Sequence, residues 1–198
     1  MEISTVISWL VLIFGIFYII RIFNNLVAFK NRFQNAFSQI EVQLKRRYDL
    51  IPNLVETAKS YMAHERETLE AVILARNDAV AGLKAASSDP SSAQALGKLA
   101  AGEGLLQSAL GKLNVAVEAY PDLKASENMS QLSEELTSTE NRVAFARQGF
   151  NDAVTEYNSY RQSFPQNIFA PTFGHKKDAA LLEFEDSAEI QHAPKVSF

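Results

Sequence analysis

From Ile3 to Ile20 the chain reads ISTVISWLVLIFGIFYII, a run without one formally charged side chain. As a helix rising about 1.5 Å per residue it extends roughly 27 Å, close to the apolar thickness of a bilayer. A chain that opens this way is expected to start in a membrane, with residues 3–20 in contact with lipid. The flanks separate a retained anchor from a discarded signal peptide. A signal peptide carries a basic start and small residues at a cleavage site, whereas here only Glu2 precedes the run and Arg21-Ile22-Phe23-Asn24-Asn25 follows it. The anchor is therefore expected to stay. Arg21, Lys30, Arg32, Lys45, Arg46 and Arg47 all follow the anchor, so the positive-inside rule places the N-terminus outside and the body in the cytoplasm.

Removing the anchor from the 198 residues leaves enough chain for one domain with a substantial core or for an elongated bundle. The sequence has no cysteine, which excludes disulfides, thiolate metal sites and cysteine nucleophiles. A net charge of −4, spread over interspersed acids and bases, gives no basis for nucleic-acid binding.

Apolar spacing is helical throughout the body. Met129, Leu132, Leu136, Thr139, Val143, Ala146, Phe150, Ala153, Tyr157, Tyr160 and Phe164 alternate steps of three and four, one stripe on a helix of about 35 residues with Ser126 as its N-cap. Leu54, Ala58, Tyr61, Leu69, Val72, Ile73, Val80 and Leu83 mark a helix from Asn53 to about Ala86, with Pro52 in its first turn. Leu99, Leu106, Leu110, Leu113, Val117 and Tyr120 mark a third, whose start is blurred by Gly97, Gly102 and Gly104. Phe23, Leu26, Phe29, Phe33, Ala36, Phe37, Ile40 and Leu44 continue the anchor at helical spacing without glycine or proline. The expected fold is all-α: a transmembrane helix running unbroken into an antiparallel bundle of about four long helices. Its divisions are an anchor at 1–24, a bundle at 25–164 and an irregular tail at 165–198. That tail, with exposed-looking Phe169, Phe173 and Phe184, is given one short helix near Ala179–Glu185.

Tests for chemistry return little. His64-Glu65 opens like a zinc-protease motif, but the position that needs a second imidazole holds Thr68, so His64 is expected to make a polar contact with Glu65 or Glu67. His175 and His192 have no clustered ligands. Gly102-Glu103-Gly104 lacks the lysine and strand context of a phosphate loop, and no serine sits in a nucleophile elbow. The chain is expected to be no enzyme and to need no cofactor or metal.

Three surface features remain as candidates. Arg46, Arg47, Asp49, Pro52 and Asn53 read as a helix–helix corner, with Asp49 capping the next helix and the arginines paired to carboxylates, or else as a docking surface for acidic or phosphate groups. Tyr120, Pro121, Asp122 and Lys124 read as a second corner. Phe23, Phe29, Phe33 and Phe37 form a stripe that serves as bundle core or, on a helix leaving the membrane, as a self-association face.

The block RRYDLIPNLV at Arg46–Val55, paired with YPDLKA at Tyr120–Ala125 and set in a match from Asn25 to about Gly174, resembles the LemA family of bacterial proteins. The resemblance implies one N-terminal membrane segment followed by a long-helix bundle, placed in the bacterial inner membrane, with no established catalytic activity. The resulting expectation is a non-enzymatic scaffold that forms homo-oligomers or recruits an unidentified protein partner at the cytoplasmic membrane face. The alternatives are a sensory adaptor coupling the membrane to a signalling partner and, last, a metal-dependent hydrolase.

Overall fold

The computed structural model describes residues 2–184, which form helices and turns with no strand among them. The helices are α1 (Ile3–Lys59), α2 (Arg66–Ser88), α3 (Ala93–Val117), the single turn α4 (Pro121–Lys124), α5 (Glu127–Gln162) and the single turn α6 (Gln166–Phe169). Four of these are long, as the stripes predict.

The first helix runs for 57 residues. Its apolar start is bare, with no residue of the most hydrophobic window buried, and it is long and apolar enough to cross a membrane. From Ile22 onward the same helix turns one face inward through Leu26, Phe33, Phe37, Ile40, Leu44, Tyr48, Ile51, Leu54 and Ala58. No break separates the two parts, because neither glycine nor proline falls between Ile16 and Ile51.

Pro52 does not begin a second helix as expected. It lies inside α1, which continues to Lys59 before turning at 60–65. A proline inside a helix leaves the carbonyl four residues earlier without its donor. Here that carbonyl is Tyr48 O, and Arg76 Nε reaches across from α2 to donate to it at 3.2 Å. The guanidinium supplies the hydrogen bond that the proline cannot, and the helix continues past it to Lys59.

Antiparallel pairing follows. Along the α1–α5 seam, Phe29 meets Tyr160, Phe33 meets Tyr157, and Phe37 meets Phe150, with centroids 5.0, 5.2 and 5.5 Å apart. Between α2 and α3 there is scarcely room for side chains. A Cβ built on Gly82 would stand 2.8 Å from Lys98 O, and one on Gly102 would stand 2.9 Å from Ala79 Cα. The glycines that blurred the start of α3 in the sequence are therefore interior to the helix, and Gly102, with Gly82 opposite, marks where α2 and α3 approach closely. The start itself is set by Ser92, whose hydroxyl accepts from Ala95 N at 3.3 Å.

Two further expectations change. The α5 stripe ends early: the helix stops at Gln162 and Phe164 stands 80% exposed beyond it. The short helix expected near Ala179–Glu185 does not form over 179–184, where the chain is extended along α5, and Glu185 lies outside the described residues. Within this segment and α6 the aromatic rings are not loose. Phe173 packs edge-on to Phe23 at 5.2 Å, Phe169 stacks on Phe173, and Phe184 lies over Arg147 with the guanidinium carbon 4.7 Å from the ring centre.

Candidate functional site

A buried ion pair lies in the core where α1, α2 and α3 meet. Arg47 Nη1 donates to Glu103 Oε2 at 2.9 Å, and the Tyr48 hydroxyl donates to Glu103 Oε1. The Arg47 and Glu103 side chains are 8% and 4% exposed. A buried carboxylate requires partners for both oxygens, and consecutive residues of α1 provide them. Burial pushes the Glu103 carboxyl above its ordinary range, against the pull of Arg47 and the Tyr48 hydrogen bond, and Glu140 adds to the rise. The Tyr48 hydroxyl is pushed far above its usual range by burial and by the Glu103 charge. Beside this cluster Glu140, Arg147 and Phe184 close a cavity of about 30 Å³, room for one water-sized group.

The second construction is an extended strap, residues 175–184, held by two asparagines of α5. Asn158 donates to Ala179 O and accepts from Ala179 N, both at 2.9 Å; Asn151 donates to Leu182 O at 3.1 Å and accepts from Leu182 N at 2.9 Å. Seven helical residues advance about 10.5 Å and three extended residues about 10 Å, so the two spacings match. Each side-chain amide thus presents a donor and an acceptor to the main chain as a neighbouring strand would. Arg161 Nε adds 2.8 Å to Asp178 Oδ1, Gln162 Nε2 adds 2.9 Å to Asp178 Oδ2, and Ala180 N donates to Ser91 O at 3.1 Å. At the start of the strap, Gly174 takes φ +86°, a turn that an L side chain would strain. Next to it the buried His175 ring meets the Tyr157 hydroxyl at 2.9 Å. Burial, with the Lys30 and Arg161 charges, holds the imidazole below its ordinary range. Asp178 is partly desolvated, yet Arg161 and Gln162 hold its carboxyl low.

At the far end of α1 from its apolar start, an open groove of about 870 Å³ runs between α1 and α2, its floor formed by Val55, Met62, Leu69 and Ile73. Glu56, Lys59, Arg66 and Glu70 are charged residues along it.

The residues singled out in the sequence are distributed unevenly among these features. Arg46, Asp49, Pro52 and Asn53 do not mark a corner: all four are exposed within the continuous α1, and Asp49, expected to cap a helix, stands mid-helix 4.0 Å from Arg76 Nη2. Arg47, one position from Arg46, is instead buried in the Glu103 cluster. At the second candidate corner, Pro121 opens α4 between α3 and α5 and Lys124 pairs with Glu118 at 2.6 Å. Tyr120 is half-buried there, while Pro121 and Asp122 are exposed. The Phe stripe is mostly spent inside the chain. Phe33 and Phe37 are buried and Phe29 half-buried against α5, so these three offer no face to another copy; Phe23 remains 42% exposed. His64 is exposed in the 60–65 turn, and His192 lies outside the described residues. Among the described residues no group of three or more His, Asp or Glu is placed to hold a metal.

Sequence reasoning missed Glu103, Tyr48, Arg76, Asn151, Asn158 and His175. The recurrence of asparagine at a spacing of seven on the predicted α5 was the visible trace of the strap. The Glu103 pairing had no trace, since nothing local relates positions 47 and 103.

The LemA family model matches residues 36–198. The chain is 30% identical to Protein LemA of Metamycoplasma hominis over 187 residues, 93% of this chain and 79% of that protein. It is 26% identical over 170 residues to Magnetosome protein MamQ 2 of Paramagnetospirillum magneticum and 27% identical to Magnetosome protein MamQ of Magnetospirillum gryphiswaldense, with 78% of this chain aligned in each case. These alignments span 62% of the magnetosome proteins, so the chain covers less than two thirds of their length. Both the family match and the 30% identity to Protein LemA over 93% of this chain lead to one conclusion: this chain belongs to the LemA family.

Proposed function

We propose that the protein is a membrane-anchored helical scaffold, non-enzymatic, that self-assembles or recruits partners at the cytoplasmic face of the bacterial inner membrane. The observation that carries this reading is the 57-residue α1, which joins a bare apolar segment to the bundle core without a break. Such a helix holds whatever the bundle carries at a set height and angle over the bilayer. Arg21 and Lys30, exposed just beyond the anchor, support a cytoplasmic body. Similarity to proteins named for the magnetosome supports a part in an assembly. With the Phe stripe turned inward, self-association has to use another surface.

Light scattering on the full chain in mild detergent, beside a form lacking residues 1–24, tests the scaffold. A defined assembly in either form is the expected result. Compact monomers in both, with no partner retained, would remove the reading.

The groove at the membrane-distal end favours a second reading, an adaptor. It sits on the same helix as the anchor, so a tilt of the anchor moves the groove directly. A Phe29→Pro substitution should uncouple the two while the bundle beyond it stays folded; unchanged output in a signalling assay would count against the adaptor.

A further inference from the structure

We propose that the corner joining α5 to α6 is a second membrane contact, with Phe164 and Ile168 entering the lipid interface beside the base of α1; this rests on reading residues 3–20 as the anchor. The level of the corner follows from the pairing. Asn25 Nδ2 donates to Tyr160 Oη at 3.1 Å, and α5 runs antiparallel to α1. Two further helical residues carry α5 about 3 Å lower, to Gln162, where the helix ends. Phe164 follows that end at the base of the bundle, near the level of the first turns of α1 beyond the anchor. The chain then makes the α6 turn against α1 and returns past Phe173, whose ring meets Phe23.

The exposed surface of this corner combines polar Gln162, Ser163 and Asn167 with the large apolar side chains of Phe164 and Ile168. Phe164 is 80% exposed, Ile168 59% and, nearby on α1, Phe23 42%, all near the base of the bundle. Elsewhere on the bundle the strongly exposed apolar residues, such as Leu74, Val115 and Phe145, stand on separate elements or faces well above the anchor. A bilayer is the occupant that the anchor itself brings to this height. An aromatic ring is well suited to the boundary between headgroups and chains, and Arg21, exposed one residue beyond the apolar run, suits the headgroup phosphates. A single helix is free to tilt and swivel; a second insertion point on an element packed against it restrains both.

Depth-dependent fluorescence quenching decides this, because Trp9 is the sole tryptophan of the chain and lies in the anchor. The full chain is reconstituted in phosphatidylcholine–phosphatidylglycerol vesicles with bromines placed either near the headgroup or near the chain ends. The Phe164→Trp and Ile168→Trp variants, each also carrying Trp9→Phe, should lose fluorescence to the shallow bromines. Phe145→Trp in the same background, about 33 Å above the anchor by the helical rise, should not. If wild-type Trp9 is quenched but neither corner variant is, the second contact is wrong and the anchor stands. A corner emission that is blue-shifted yet unquenched would mean that protein covers the site, which also overturns the proposal. If Trp9 itself escapes quenching, the anchor reading falls and takes this inference with it.

Discussion

Along α1 and α5 the helices touch through rings; along α2 and α3 they touch almost backbone to backbone. In the first seam Phe33, Phe37, Phe150 and Tyr157 interlock edge-on, and Phe150 is wholly buried. In the second, Gly82 and Gly102 let the partner backbone come within contact distance of where a methyl would sit, flanked by Ala75, Ala79, Ala86 and Ala109. Helix axes settle 8–10 Å apart according to the side chains between them, so these seams stand at opposite ends of one range. Large side chains store burial energy but leave a cavity when trimmed. Small ones permit dispersion along the whole backbone but tolerate no addition. The Arg47–Tyr48–Glu103 cluster stitches the first seam to the second.

The sharpest break of this comparison is Phe150→Ala. Trimming a fully buried ring should cost about 3–5 kcal/mol, read as a lower urea midpoint; a loss below about 1 kcal/mol would mean that the aromatic seam relaxes as easily as a surface. Glu103→Ala tests the stitch. It leaves Arg47 buried without its carboxylate and should cost a comparable amount, about 3–5 kcal/mol, whereas a neutral result would show that the two seams hold independently.

Smaller effects are expected from the glycines, and they differ in sign. Gly102→Ala adds a methyl 2.9 Å from the Ala79 backbone and should destabilise by about 1–3 kcal/mol despite the better helix propensity. Gly111→Ala, whose methyl meets open space, should stabilise by up to about 1 kcal/mol. Equal shifts in melting temperature for the two would erase the distinction between the seams.

The smallest effect is at the strap. His175 has a folded pKa below its ordinary 6.5, so its contribution is complete above that value and is lost as pH falls through the lowered one. Asp178, held below 3.8, loses its contribution only in stronger acid. The groups facing His175 are Lys30 of α1 and Tyr157 and Arg161 of α5. Hydrogen exchange at the Ala179, Ala180 and Leu182 amides, corrected for intrinsic rates, should show weaker protection at about pH 5 than at about pH 7. The His175→Gln variant should flatten that change; an unaltered pH dependence would assign the loosening to another group.

The number of long helices, the length of α5, the helical continuity of the apolar start into the body and the interior aromatic face were legible because each depends on spacing within one segment. Pro52 misled for the opposite reason. Proline ends a helix when nothing replaces its lost hydrogen bond, and the replacement is Arg76, on another helix. The predicted corner was lost with it. The tail looked irregular because its order comes from Asn151 and Asn158, which pair with main chain that carries no signature of its own.

By itself, then, the order of residues determined an apolar start of membrane-crossing length, an all-helical body and the faces those helices bury, since periodicity is a local property. Tertiary structure alone decided that Arg47 is core and Arg46 surface, that Gly82 and Gly102 draw α2 and α3 together, and that the strap closes along α5. Each of these depends on a partner on another segment of the chain, and the balance of burial against hydrogen bonding at a position is settled only when that partner arrives.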